Sequence, residues 1–348
     1  MVKVTKHGVI LRATDHFFES EGVLNPGVIK VGNEIHMFYR AVATDNYSTI
    51  GYCLLSSPLK IEHRNAKPLL IPQFEYEFQG LEDPRVVCID KIFYMTYTAY
   101  DGVNALGALA TSKDLVHWKK HGIVVPQVTY DEFMHFTKNA LKSNPKYNRY
   151  NLEEDVRLHF KRKVFIWDKN LIFFPRKING SFYFIHRIKP DIQIVVAVEK
   201  IEDLTVDFWQ NYFSKFDEYI VLKPRFDHEV SYIGSGCPPI ETRSGWLIIY
   251  HGVHDTVNGY VYSACAALLD LEVPQREVSR LPFPIFFPEE IWELKGEVNN
   301  VCFPTGAVVD GDRLYIYYGA ADERIAVASL NLNDLLTDLE SNKIESLS

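Results

Sequence analysis

The chain has too little positive charge, too few cysteines in useful spacing and too short an apolar run to belong to several large classes of protein. Its 348 residues carry a formal net charge of −8. It therefore lacks the basic face that counterion release at a nucleic-acid backbone requires, and no nucleic-acid partner is expected. The five cysteines (Cys53, Cys88, Cys237, Cys265 and Cys302) lie far apart and form no CxxC pair. This argues against a disulfide frame or zinc ribbon and reads as reduced core thiols of a cytoplasmic protein, with the periplasm as the alternative location. Residues Met1 to His7 hold no apolar leader, and no window approaches a membrane span, so no membrane partner is expected. P-loop, GxGxxG and nucleophile-elbow motifs are missing, and no cofactor is implied. His251 and His254 are three residues apart without a nearby third ligand, so no metal site is expected. No long amphipathic helix interrupts the chain, which disfavours a Rossmann domain or an α/β barrel.

Aromatic residues are abundant, with 20 Tyr and 22 Phe, and they recur in a pattern. A short apolar strand, a tight polar turn, an aromatic-rich strand, a loop and a third strand appear five times. The copies begin at Pro26, Pro84, Leu171, Pro238 and Phe303. Their turns are Gly32-Asn33, Asp90-Lys91, Asn179-Gly180, Ser244-Gly245 and Asp310-Gly311-Asp312. Asn-Gly, Ser-Gly and Asp-Gly are strong hairpin signals. The second strands end at Tyr39, Tyr97, His186, Tyr250 and Tyr318, at intervals of 58, 89, 64 and 68 residues. Repeated β-meanders predict one all-β domain over residues 1–348, a five-bladed β-propeller; a two-sheet sandwich is the alternative. The long interval predicts an insertion between blades two and three, about 129–163. It opens with helical spacing of Phe133, Phe136 and Leu141 and continues with Lys142, Lys146, Arg149, Arg157, Lys161, Arg162 and Lys163. A solvated surface excursion is the expectation, with a lid or homo-oligomer contact as the alternative. A short helix, Asn331 to Leu339, begins the closing segment 331–348.

In a propeller the loops entering the inner strands converge at one end of the central channel. Equivalent polar positions should therefore meet. Reading the repeats in parallel collects Asn25, Arg40, Glu82, Asp83, Arg85, Lys169, Asn170, Arg187, Glu229, His251 and Asp322. Within Gly80-Leu81-Glu82-Asp83-Pro84-Arg85, Pro84 predicts an extended Asp83, and Arg85 offers a charge that can set its pKa. Carboxylates among aromatics suit cleavage of a glycosidic bond, where one acid protonates the leaving oxygen.

The Gly80–Arg85 block, Lys169-Asn170 and Phe174-Pro175-Arg176-Lys177-Ile178-Asn179-Gly180 together resemble glycoside hydrolase family 130. So do Ile233-Gly234-Ser235-Gly236-Cys237-Pro238-Pro239-Ile240, Gly245 to Val253, and Tyr317-Tyr318-Gly319-Ala320-Ala321-Asp322. The blocks run in order from blade two to blade five. The resemblance implies a five-bladed propeller acting on small β-mannosides, either as an inverting hydrolase or as an inverting phosphorylase with inorganic phosphate as co-substrate. It makes Asp83 the general acid, working through a sugar hydroxyl in the phosphorylases, and gives Arg40 and Asp322 to the mannose. Phosphorylases of the family place cations around phosphate. Here Arg187 and His251 fit that pattern, Lys169 stands at a position usually arginine, and Tyr232 stands where a lysine is usual. Hydrolytic members are similar to this chain in carrying glutamates at Glu229 and Glu272. Exchange of a lysine for Tyr232 weakens a phosphate site. The sequence thus favours hydrolysis of β-1,2-mannosides, with Glu229 as base and Glu272 as a weaker candidate. Phosphorolysis to mannose 1-phosphate is the alternative, and a carbohydrate-binding propeller without chemistry is the third reading.

Overall fold

The computed structural model describes residues 2–140, 146–147 and 163–343. Among the described residues, twenty-one strands form five blades around a channel. Strands β1 (Thr5–Leu11), β2 (Gly22–Val31), β3 (Glu34–Ala43), β4 (Tyr47–Ser57) and β5 (Lys60–Arg64) come first, and β2 to β5 make blade one. Blade two is β6 (Gly80–Ile89), β7 (Ile92–Tyr100), β8 (Ala105–Ser112) and β9 (Trp118–Ile123). Blade three is β10 (Lys169–Phe173), β11 (Phe182–Arg187), β12 (Ile192–Val198) and β13 (Ile220–Leu222). Blade four holds β14 (Tyr232–Ser235), β15 (Ile240–Thr242), β16 (Gly245–Thr256), β17 (Gly259–Leu269) and β18 (Glu277–Arg280). Strands β19 (Cys302–Asp310), β20 (Arg313–Ala320) and β21 (Arg324–Asn331) make blade five, whose outer strand is β1 from the other end of the chain. The first and last segments thereby close the ring.

Period-two alternation puts successive side chains of a strand on opposite faces of its blade. In β3, Met37 and Tyr39 pack with Val308 and Tyr317 of blade five, while Phe38 between them packs with Val86 and Met95 of blade two. In blade three, Phe173 joins Leu106 and Leu109, whereas Phe174 joins Ile233 and Trp246. A fifth cluster, around Leu247, Ile249, Leu314 and Ile316, fills the space between blades four and five. Each neighbouring pair of blades thus has its own apolar core. Burial of each such aliphatic or aromatic side chain contributes about 1.5–3 kcal/mol.

Tyr39, Tyr97, Tyr250 and Tyr318, expected at the ends of the second strands, lie within β3, β7, β16 and β20 and share one device. Before each inner strand a short helical turn presents a fully buried carboxylate: Glu19, Glu77, Glu229 and Glu293. The tyrosine hydroxyls of Tyr39, Tyr97, Tyr250 and Tyr318 donate to these four at 2.8, 2.7, 2.5 and 2.7 Å. A cation from the outermost strand completes each set: Arg64, Lys120, Arg280 and Lys6. Blade three substitutes His186, whose Nδ1 lies 2.8 Å from Asp168 and whose Nε2 lies 2.8 Å from the Tyr212 hydroxyl. The device pins the turn, the second strand and the outer strand of a blade together.

The segment expected as an insertion begins with helix α1 (Tyr130–Thr137), started by a capping box between Thr129 and Glu132. Its Phe133 is buried against Phe213 and Phe216, at ring-centroid distances of 5.4 and 5.3 Å. Phe213 belongs to α2 (Val206–Ser214), a helix between β12 and β13. Helix α1 is therefore packed against blade three, not solvated. Leu141, Lys142, Arg149, Arg157, Lys161 and Arg162 lie outside the described residues. Beyond the one-turn helix α3 (Ile291–Leu294), α4 (Leu332–Glu340) follows the last strand, as its sequence predicts, and buries Leu335, Leu336 and Leu339. Among the described residues no helix is long and apolar enough to cross a membrane. The five cysteines are free; four are buried, and Cys88 is exposed instead of in the core.

Candidate active site

The inner strands are irregular at the same height. Pairing slips between Leu24 and Gly27, between Glu82 and Arg85, between Lys169 and Ile172, and between Pro304 and Gly306. At the slips, Asn25, Asp83 and Asn170 have φ of +49°, +51° and +53°. Asp83 is thus left-handed, not extended as its proline neighbour predicts. The bulge demands that conformation, and short polar residues such as Asp and Asn tolerate it best among non-glycines. The first three bulges bring the polar side chains of Asn25, Asp83 and Asn170 to the cavity described below.

Asp83 accepts a 2.7 Å hydrogen bond from Asn25 Nδ2. The Arg85 guanidinium donates to backbone carbonyls, Nη1 to Asp83 O at 2.7 Å and Nε to Gly236 O at 2.6 Å. It fastens blade two to blade four and acts on the Asp83 carboxylate through space. Burial pushes that carboxyl up, but the charges of Lys169, Arg85 and Arg40 together hold it below the usual range. Glu82 bridges Arg40 Nη2 at 3.0 Å and Lys169 Nζ at 3.1 Å. Asp322, also left-handed at φ +54°, is pushed up to about 6 by burial, against the pull of Arg40.

These groups surround a cavity of about 230 Å³. Asn25, Arg40, Asp83, Lys169, Asn170, Arg187, Tyr232 and Asp322, all expected from the sequence, line it. Trp167, Lys189, Tyr262 and Phe303 line it too and were not anticipated. A wider lobe of about 600 Å³ adjoins it, sharing Arg40, Val298 and Asp322 and walled by Glu21, Asp45, Glu297 and Glu323. The inner cavity is therefore rich in cations and the outer lobe in carboxylates.

Several buried polar atoms at the inner end have no partner among the described residues: Arg85 Nη2, Arg187 Nε, Ser235 Oγ and both nitrogens of His251, one a donor and one an acceptor in the neutral ring. Unpaired buried polar atoms are costly, and a cluster of them marks a place where a polar ligand belongs. His251 is fully buried against Phe303, with ring centroids 4.4 Å apart. Burial and then the charges of Arg187, Arg85 and Lys189 drive its pKa well below normal. It is therefore neutral and not one of the cations. Gly234 leaves it room: a Cβ there would stand 2.5 Å from His251 Nε2 and 2.7 Å from Asn170 Oδ1.

Two predicted residues are elsewhere. Glu229 is the blade-four member of the repeated buried set. Its carboxylate takes Tyr250, Arg280 and the backbone N–H groups of Arg225 and Phe226. A base for water needs an accessible, underused carboxylate, and Glu229 is neither. Glu272 is exposed in the turn after β17, at the end of blade four remote from His251. Among the described residues, the carboxylates lining the inner cavity are Asp83 and Asp322.

A channel-end cavity with one carboxylate held ionised, a second near neutrality and a bank of cations defines a propeller that handles a small polar ligand. The chain belongs to glycoside hydrolase family 130: the family profile, described as beta-1,4-mannooligosaccharide phosphorylase, matches residues 11–341. Two relatives from Thermoanaerobacter sp. are each 32% identical over 94% of this chain and 96% of their own. One is a 1,2-beta-oligomannan phosphorylase and the other a beta-1,2-mannobiose phosphorylase. The solved beta-1,2-mannobiose phosphorylase of Listeria innocua, in complex with beta-1,2-mannobiose, superposes with a TM-score of 0.72. It does so at 22% identity over 98% of this chain and 100% of that one, which supports the fold.

Proposed function

We propose that the protein is a phosphorylase that transfers the terminal mannosyl group of a β-1,2-mannoside to inorganic phosphate. The observation that carries this reading is the gathering of Lys169, Arg187 and Lys189 around the inner cavity beside Asp83, while Glu229 is fully engaged inside blade four. It replaces the hydrolytic reading, whose base was Glu229. The phosphorylase names of the 32%-identical relatives point the same way.

In this scheme hydrogenphosphate lies among the cations and unpaired donors. One of its oxygens attacks C1 from the face opposite the glycosidic oxygen. The C1–O bond breaks, and the leaving oxygen takes a proton passed from Asp83 through a mannose hydroxyl. Inversion at C1 yields α-mannose 1-phosphate and a sugar shortened by one unit. Asp83 takes up its proton as hydrogenphosphate binds and ends the step ionised, and the mannosyl phosphate gives up the proton that hydrogenphosphate brought, so the step balances. It also accounts for the ionised Asp83 of the free protein. Bound phosphate would offset the Lys169, Arg85 and Arg40 charges that keep the carboxyl low, and so raise it toward the protonated form. The acidic outer lobe suits the departing sugar, whose hydroxyls donate to carboxylates.

The test is product analysis with β-1,2-mannobiose, with and without phosphate. Mannose 1-phosphate formed only with phosphate is expected, and free mannose at a phosphate-independent rate would overturn the reading. Asp83→Asn should lower turnover about 10²–10⁴-fold while the fold is kept, as loss of a general acid does. Unchanged turnover, or sugar binding without any turnover in the parent, would instead favour a binding propeller.

A further inference from the structure

We infer that Lys189 and Tyr232 form a composite cation platform that holds one side of the phosphate, an inference that rests on the phosphorolysis reading. Lys189 lies in the connection between β11 and β12 and lines the inner cavity beside Arg187. Its Nζ stands 4.3 Å from the centroid of the Tyr232 ring, and the Arg187 guanidinium stands 5.4 Å from the same centroid. One ring from blade four therefore steadies two cations from blade three. A carboxylate in that place would neutralise them; a ring attracts a cation through its quadrupole and leaves its charge intact. Tyr232 is thus not a gap in the cationic wall but its mount.

The mount is built. Tyr232 is buried, and its hydroxyl lies 2.5 Å from that of Tyr262. The lysine's loop is pinned on both flanks. Gln193 accepts from Ile188 N at 2.7 Å and donates to Ile188 O at 2.9 Å, while Pro190 O accepts from Ile233 N at 3.0 Å. Tyr147, from the insertion, donates to Asp191 in the same loop at 2.8 Å. Lys189 is consequently half-buried on a fixed backbone, unlike a mobile surface lysine. Its charge reaches inward: it is one of the three cations that depress buried His251. The adjoining Arg187 is 7% exposed, with Nε unpartnered among the described residues. Two cations and an N–H unpartnered among the described residues put donors for an oxyanion on one wall.

The experiment compares the steady-state constants of wild type, Lys189→Met and Lys189→Arg for phosphate and for β-1,2-mannobiose, with direct calorimetric titration of inorganic phosphate. K189M should raise the phosphate KM about tenfold, the loss typical of one charge-assisted contact, with the mannobiose KM unmoved. K189R should recover most of that loss, and calorimetry should give the same order. A phosphate KM and heat of binding indifferent to K189M, in protein that melts like wild type, would overturn the role of Lys189 alone. A K189M enzyme weakened equally for both substrates would also overturn it, as a general disturbance of the loop. A wild type that releases mannose without phosphate overturns the parent reading before any variant is made.

Discussion

Asp83 and Asp322 face one cavity from opposite electrostatic positions. Burial works against ionisation of both, yet three cations outweigh it at Asp83, while Asp322 stays at about 6 despite Arg40. The two carboxyls thereby hold different protonation states over a broad pH range, the separation that acid–base sites use. Their effects on stability have opposite signs. An unfolded aspartate titrates near about 4. Folded Asp322 keeps its proton up to about 6, so its contribution to stability falls as pH rises across that window and is flat above it. Asp83, whose folded pKa is lowered, stabilises above its unfolded value, and that benefit is lost as pH falls. In Asp322→Asn the first contribution is gone. The melting temperature of the variant relative to wild type should therefore climb from about pH 4 to about pH 6 and then level off. A flat difference in differential scanning fluorimetry would mean that Asp322 titrates as an ordinary aspartate.

At the scale of the blade, the repeated carboxylate, hydroxyl and cation explain why Glu229 is stationed where it is. Glu229→Gln keeps the volume but takes away one of the two carboxylates paired with buried Arg280, leaving Glu277, and removes the charged acceptor of Tyr250. Breaking a buried pair from one side costs about 3–5 kcal/mol, so a clear drop in melting temperature is expected. The products formed by the folded fraction should be unchanged. An E229Q protein as stable as wild type but without turnover would return Glu229 to the chemistry. The sequence carried the signal for this device, since Glu19 precedes Tyr39 and Glu77 precedes Tyr97 by the same 20 residues, and Glu229 precedes Tyr250 by 21. Reading one blade alone, a glutamate beside a phosphate-like site looks catalytic; reading five, it is a fastener. The hairpins themselves were legible because Asn-Gly, Ser-Gly and Asp-Gly turns act locally. Asn25, Asp83 and Asn170 were legible because repeats put them at one height. Lys189 and Trp167 were not, because the equivalent connections of the other blades carry no lysine between the second and third strands and no tryptophan directly before the inner strand, so no repeat marks them. The cation of blade five could not be read at all: Lys6 and Glu293 are 287 residues apart.

For the whole molecule, closure depends on that distant pairing. β1 lies along β21 with Thr5 opposite Ser329 and Leu11 opposite Ile325, and Lys6 brings the counter-charge for Glu293. A chain lacking residues 1–11 should melt at lower temperature, because Glu293 loses the counter-charge of Lys6 and Leu11 leaves the core between blades five and one. It should also self-associate through the bared edge of β21, which light scattering would detect. A truncated chain that stays monomeric and melts like wild type would show that β1 is dispensable. The same pairing sets an order of events during synthesis. β1 leaves the ribosome ahead of the strands of blades one to four and has its place beside β21, so it must wait through the emergence of four blades with its ladder unmade. Joining segments so far apart carries a large loop-closure cost, which falls only once the intervening blades are folded. The nascent chain therefore carries an open ring, and its inner cavity acquires all of its walls only when translation has delivered Asp322 and the strand that follows it.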